Sequence, residues 1–146
     1  MNLLLSDLDG VIFNSDRRFA LARARGGQKD RSIAYDPTLI KTDSLIPGAD
    51  VAIHKYRANG YCIVYISGRP ENTYLATFEL LCEYRLDGLL ICKPAGLDSA
   101  TWKAGKVLEY DQSGQYEEII FVDDYQANRD AVERLRLPRV RCLASL

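Results

Sequence analysis

The sequence predicts an α/β fold of three layers, a parallel sheet with helices on both faces, and three observations carry that expectation. Short apolar runs recur along the chain at Leu3–Ser6, Tyr61–Ser67, Gly88–Cys92, Glu118–Val122 and Arg139–Leu143. Apart from Arg139 and Arg141 in the last, they are continuous apolar runs rather than alternating ones, as in strands covered on both faces. Between them lie segments with helical spacing, and strand–helix alternation marks parallel strands joined by crossover helices.

The helical segments follow in order. Ala49, Ala52, Ile53 and Tyr56 fall at i, i+3, i+4 and i+7, and Gly60 supplies a stop. Leu75, Phe78, Cys82 and Leu86 form a second apolar stripe, and Ala100, Ala104, Val107 and Leu108 a third, interrupted by Gly105. A fourth stripe, Ala127, Ala131 and Leu135, ends at Pro138. All four are expected to be core faces without chemistry. Residues 14–44 read differently, being rich in Arg, Asp, Ser and Gly with a Gly26-Gly27 break. A short helix over Asp16–Arg25 and an excursion over the sheet's edge are expected there. No boundary divides the chain, so residues 1–146 are expected to form a single domain decorated by a flap.

Composition narrows the function classes. With 146 residues there is enough chain to bury a core. Lys plus Arg number 19 against 20 Asp plus Glu, a net charge of −1 that argues against a general nucleic-acid coat. Cys62, Cys82, Cys92 and Cys142 make no CxxC pair, so neither a zinc nor a thioredoxin-like site is indicated; reduced thiols in a cytoplasmic protein are expected. Leu3–Leu5 is far too short for a membrane span, and no membrane partner is expected. Nothing in the sequence indicates an oligomer.

Ligands of an open parallel sheet bind beyond the carboxyl ends of its strands. The first expected strand ends in Ser6-Asp7-Leu8-Asp9-Gly10-Val11, the second in Ile66-Ser67-Gly68-Arg69, and the fourth in Val122-Asp123-Asp124; Lys103 opens the helix after the third. Four carboxylates, a hydroxyl and an ammonium thus reach one rim. Uncompensated carboxylates repel and raise at least one pKa. Mg²⁺, a hard cation that takes carboxylate, phosphate and water oxygens, relieves that repulsion. Asp7, Asp9, Asp123 and Asp124 are its candidate ligands. Asp7 is the candidate nucleophile toward phosphorus, and Asp9 the candidate acid and base. Ser67 and Lys103 can hold phosphoryl oxygens. Gly10 and Gly68 can bring backbone N–H groups close to the phosphate. Lys93 and Lys106 compete with Lys103 for its role. Arg69 is either a substrate contact or a solvated helix-start residue.

Asp7-Leu8-Asp9-Gly10-Val11, Ser67-Gly68-Arg69, Lys103 and Asp123-Asp124 resemble, in order, the four motifs of the haloacid dehalogenase superfamily. The resemblance spans essentially the whole chain and implies a Rossmann-like phosphatase fold. It implies that Asp7 is the nucleophile, Asp9 the acid/base, Ser67 and Lys103 the phosphoryl holders, and the late acidic pair part of the Mg²⁺ site. The presence of Asp9 matches the phosphatases of that family rather than its dehalogenases. Tyr35-Asp36, Asp43, Gly60-Tyr61-Cys62-Ile63-Val64 and Lys93-Pro94-Ala95-Gly96 are further similar to the 3′-phosphatase domain of polynucleotide kinase-phosphatases and phage-type relatives. That subgroup usually has Arg where Lys93 stands and Asp-Asp-Arg where Asp123-Asp124-Tyr125 stands. The implied substrate is a phosphorylated nucleic-acid end or a nucleotide, with a small-metabolite phosphomonoester as the alternative.

Other features have plainer readings. Arg17, Arg18, Arg23, Arg25, Lys29 and Arg31 either gather phosphorylated substrates or form a solvated, mobile face. His54 sits at the edge of an amphipathic helix without a carboxylate partner. Trp102 and the nine tyrosines show no spacing of a base-stacking platform. Asn128 and Asp130 either support the metal site from behind or cap a helix. Neither gap between motifs has room for a large cap domain, so an open site is expected. A receiver-like phosphoacceptor would carry its phosphorylated aspartate on a middle strand, and the motif order here is different.

Overall fold

A computed structural model describes residues 1–26 and 31–146, without the side chain of Arg31. Five strands form one parallel sheet: β1 (Asn2–Ser6), β4 (Tyr61–Pro70), β5 (Leu89–Lys93), β6 (Glu118–Val122) and β7 (Val140–Leu143). Their order is β5-β4-β1-β6-β7, so β1 lies in the middle, pairing Leu4 with Ile63 on one side and Ile120 on the other. The expected strands agree with these to within three residues. The largest difference is β4, which runs on through Gly68, Arg69 and Pro70 with a register shift against β5 between Ser67 and Pro70. A bulge of this kind re-aims side chains at a strand end.

Side chains of a strand alternate between faces, and β1 shows what each face meets. Leu4 joins Ile53 of α3 (Ala49–Ala58) and Leu80 and Leu81 of α4 (Tyr74–Glu83). Leu3 and Leu5 join Trp102 and Val107 of α5 (Ser99–Gln112) and Val132 of α6 (Gln126–Glu133). Both clusters are buried, giving the three layers. None of the described helices is long and apolar enough to cross a membrane.

Two helices bring only part of the expected stripe to the core: Phe78 and Leu86 of one, Ala131 and Leu135 of the other. In α4 the buried residues are Ala76, Thr77, Leu80 and Leu81, whereas Leu75 and Cys82 are exposed. This helix is apolar nearly all round, so spacing alone cannot choose its inner face. In α6 Asn128 and Val132 are buried, Ala131 and Leu135 of the expected stripe pack partly buried against the same cluster, and Ala127 is exposed. A polar residue that belongs to the site, Asn128, takes a place where an apolar stripe is sought. His54 is exposed on α3, as its spacing suggests.

The segment after β1 is more ordered than a flap. It forms β2 (Phe13–Asn14), α1 (Asp16–Ala24), a 3-10 turn (Arg31–Tyr35), α2 (Pro37–Ile40) and β3 (Ser44–Leu45), with β2 and β3 antiparallel. Ala22, Ala34 and Leu39 give it a small core of its own. The expected basic face divides: Arg17, Arg23 and Arg25 are exposed, whereas Arg18 is fully buried. Gly27, Lys29 and the side chain of Arg31 lie outside the described residues.

Candidate active site

The site begins with the backbone of β1. Asp7 N–H donates to Val122 C=O at 2.8 Å, and Asp123 N–H donates to Leu143 C=O at 3.0 Å, which fixes both aspartates at the carboxyl edge of the sheet. The chain then turns sharply. Leu8 C=O accepts from the N–H groups of Val11, Ile12 and Phe13, while Leu8, Ile12 and Phe13 are fully buried beneath the turn. Apolar anchors thus hold a loop whose polar residues face a cavity of about 660 Å³.

Lys103 comes from the second turn of α5, a helix capped by Asp98, which accepts from Thr101 N–H at 3.0 Å. Trp102 buries itself against the sheet, and the next residue turns toward the strand ends. Lys103 Nζ donates to Asp7 Oδ1 at 2.9 Å and to Asp123 Oδ2 at 2.6 Å, and the side chain is only 2% exposed. The competing lysines go elsewhere: Lys93 Nζ donates to the carbonyls of Pro94 and Leu97, and Lys106 pairs with Glu109.

One carboxylate oxygen from each of Asp7, Asp123 and Asp124 lies within 4.8 Å of the others. The members of this cluster differ in what holds them. Asp123 is fully buried, with Oδ2 accepting from Lys103 and Asn128 Nδ2 and Oδ1 accepting from Tyr125 N–H. Asp124 is exposed to the cavity, and none of the described side chains donates to it. Asp7 meets Lys103 through Oδ1. Burial pushes the Asp7 carboxyl up to about 7, against Lys103 and with repulsion from Asp123 and Asp9. Burial and the adjacent Asp123 raise Asp124 as well.

Asp9 is not brought into this cluster, although the sequence makes it a candidate ligand. Its Oδ1 accepts from Ser15 Oγ at 3.0 Å, Arg18 Nη2 at 2.9 Å and Arg69 Nη2 at 2.7 Å, and Oδ2 accepts from Arg69 Nε at 3.2 Å. Burial alone would raise its carboxyl; Arg69, then Arg18 and Ser15, overturn that and hold it below the usual carboxylate range. Both arginines also reach Asp43. Arg18 Nε donates to Asp43 Oδ1 at 3.0 Å and Arg69 Nη2 to Asp43 Oδ2 at 2.6 Å, while Arg69 Nη1 donates to Thr77 Oγ1. Arg69 is therefore neither a solvated helix-start residue nor part of the cavity lining. It is 1% exposed and anchors Asp9 from behind. Ser67 is fully buried and accepts from Arg69 N–H at 3.1 Å, with Gly68 reaching the cavity beside it.

Gly10 has a different use from the expected one. Its N–H donates to Phe13 C=O at 2.9 Å, which leaves it no hydrogen for a phosphate. The residue adopts φ +81°, and a Cβ there would overlap the Asp124 carboxylate. Gly10 makes the space in which Asp124 sits. Gly10→Ala is therefore expected to displace Asp124 and weaken Mg²⁺ binding by about tenfold or more, measured by calorimetric titration of the metal alone.

Three features of these residues fit a divalent cation. Asp7, Asp9, Asp43, Asp123 and Asp124 face three buried cations, Arg18, Arg69 and Lys103, so two negative charges stay uncompensated. The donors are all hard oxygens, suited to Mg²⁺. Asn128 lines the cavity, and its buried Oδ1 has no hydrogen-bond partner among the described residues, an acceptor suited to a metal-bound water. Asp7 and Asp124 would hold the ion directly, with Asp123 and Asn128 behind them.

Sequence reasoning missed Ser15 and Asp43 as parts of the site, left Arg18 in a surface cluster and gave Thr77 no role. The Arg-Asp richness of residues 14–44 hinted at Arg18, the subgroup resemblance quoted Asp43 without a role, and Thr77 had no signal.

The whole chain has the haloacid dehalogenase-like fold. Among solved structures, a chain of the Pnkp1/Rnl/Hen1 RNA repair complex superposes with a TM-score of 0.69 at 17% identity, covering 97% of this chain and 42% of its own length. This protein thus spans less than half of that chain. A haloacid dehalogenase-like hydrolase from Streptococcus pneumoniae gives a TM-score of 0.70 at 12% identity, covering 97% of this chain and 83% of the other. Phosphoserine phosphatase in its apo form gives 0.64 at 12% identity, with 97% and 92% covered. No family model and no curated protein sequence matches.

Proposed function

We propose that this chain is a Mg²⁺-dependent phosphomonoesterase that forms an aspartyl-phosphate on Asp7. One observation carries the reading: Asp7 lines the cavity with Oδ1 pinned by Lys103, and one of its carboxylate oxygens lies within 4.8 Å of an oxygen from each of Asp123 and Asp124. Bound Mg²⁺ would neutralise phosphate charge and the surplus negative charge of the site.

In the first step an Asp7 oxygen attacks phosphorus, the P–O ester bond breaks, and the departing oxygen takes a proton from Asp9. In the second, water attacks the same phosphorus, Asp9 takes its proton, and phosphate leaves with Asp7 restored. Asp9 Oδ2 suits this exchange, because Oδ1 is filled by three donors and Oδ2 takes only the longest bond. The arginines favour its ionised form, which the second step needs. A substrate arriving as the phosphate monoanion passes its proton to Asp9, and that is the proton the departing oxygen takes in the first step. Lys103 and the Ser67 hydroxyl, whose proton no described hydrogen bond uses, hold phosphoryl oxygens.

The substrate class is a nucleotide or the 3′-phosphate end of a nucleic acid. The fold shared with a chain of an RNA repair complex supports it, as does the openness of the cavity. Phosphate release from a chromogenic phosphomonoester is the first test. Chelation with EDTA should abolish it, and added Mg²⁺ should restore multiple turnovers; a single stoichiometric phosphorylation would instead indicate a phosphoacceptor module. A panel of 3′-phosphorylated oligonucleotides, 5′-phosphorylated oligonucleotides, mononucleotides and sugar phosphates then ranks the substrates.

A further inference from the structure

The cavity that holds Asp7 is also lined by rings that phosphoryl transfer does not use. Phe19 comes from α1, Tyr35 from the end of the 3-10 turn, and Tyr125 from the loop between β6 and α6, and all three line the same cavity. Nothing in their sequence spacing suggests a platform; the fold assembles them. Phe19 is 36% exposed and Tyr125 64% exposed. Rings left open to water around a site offer apolar area to a ligand that covers them.

The rings are held differently. Arg18 Cζ lies 4.9 Å from the Phe19 centroid and 5.3 Å from that of Tyr35, so the buried guanidinium fixes both. The Tyr125 side chain has no hydrogen bond or ring contact among the described residues, and is free to close on a ligand.

Charge gives the second, independent observation. Asp7, Asp9, Asp16 and Asp124 line the cavity, and Lys103 is the sole basic side chain lining it among the described residues. That lysine is already paired with two carboxylates. Proteins that track a nucleic-acid strand do so with several Lys or Arg contacts to successive phosphates. Within the described lining one phosphate is served, and the other charged side chains are carboxylates. Asn14, Ser15 and Ser99 also line the cavity, polar groups suited to hydroxyls.

We propose that the preferred substrate is a single nucleoside monophosphate, its phosphate on Asp7, its sugar beside Asn14, Ser15 and Ser99, and its base stacked between Tyr125 and the Phe19–Tyr35 wall. This narrows the phosphatase reading above and rests on it. A volume of about 660 Å³ has room for one nucleotide and lies in the range of small-ligand sites.

The test compares kcat/KM at saturating Mg²⁺ for adenosine 3′-monophosphate, a 3′-phosphorylated oligonucleotide, phosphotyrosine and glycerol phosphate. The nucleoside monophosphate should exceed glycerol phosphate by about tenfold or more, since stacking one base contributes roughly five- to hundred-fold. It should also exceed phosphotyrosine, and the oligonucleotide should gain nothing over it. Tyr125→Ala should cut the nucleotide-to-glycerol-phosphate ratio about fivefold or more, and Tyr125→Phe should keep it. An oligonucleotide preferred tenfold with steep salt dependence, or a ratio that Tyr125→Ala leaves alone, would overturn the proposal. Binding of adenosine 3′-monophosphate to the Asp7→Asn protein, followed calorimetrically, separates the two readings. Tyr125-dependent binding without turnover by the unaltered chain sinks only the phosphatase reading. Turnover of glycerol phosphate without nucleotide binding sinks only the nucleoside proposal.

Discussion

Asp7→Asn is expected to lower phosphate release by about 10⁴-fold or more, the scale seen when a covalent nucleophile is removed from its constellation. The amide keeps the shape of the side chain and can still accept from Lys103 Nζ, so the loss should fall on chemistry rather than on folding. Single-turnover kinetics with radiolabelled substrate checks this, together with a circular dichroism melt of both proteins. The unaltered chain should trap an acid-stable, hydroxylamine-sensitive phosphoprotein during turnover, and the Asn variant should not. A variant that kept more than a tenth of the rate would remove Asp7 from the nucleophile's role.

The second large effect concerns stability. Arg69→Ala removes a cation that is 1% exposed and leaves Asp9 and Asp43 each short of a charged donor. Breaking one side of a buried ion pair costs about 3–5 kcal/mol, and here one arginine serves two carboxylates. Urea denaturation should show a fall of that size. Arg69→Lys should recover only part of it, because an ammonium cannot reproduce the fork that reaches Asp9, Asp43 and Thr77 at once. Combining Arg69→Met with Asp43→Leu should be less damaging than the sum of the single changes, since each removes a charge the other leaves unpaired. Additive losses would show that the two residues do not act on one another.

The contrast between these residues explains what the sequence makes visible. Asp7, Ser67 and Asp123 each follow a continuous apolar run, so the strand locates them, and the carboxyl-end rule places them on one rim. Lys103 is legible because it follows Trp102 at the start of a helix. Arg18 and Asp43 have no such marker. Along α1 only Arg18 and Ala22 are buried, so there is no apolar stripe to reveal its inner face. Its seating depends on hydrogen bonds from one guanidinium to Asp9, Asp43 and the Ala34 carbonyl, residues 9, 25 and 16 positions away. Pairings of that kind leave no periodic trace. The same holds for Gly10, whose glycine reads as a turn residue until the Asp124 carboxylate is found in the space a side chain would fill.

The square of Asp9, Arg18, Asp43 and Arg69 also bears on how such a protein can be remodelled. Two corners belong to residues 14–44 and two to the strand ends; each side holds one ion pair of its own, and two more, Arg18–Asp9 and Arg69–Asp43, fasten the insertion to the scaffold. A larger lid could be grafted in place of the insertion only if it brought its own substitutes for Arg18 and Asp43. Trimming the segment would strand Asp9 and Arg69 face to face with an unfilled polar gap. The exchangeable module is the segment together with the bolts that hold it.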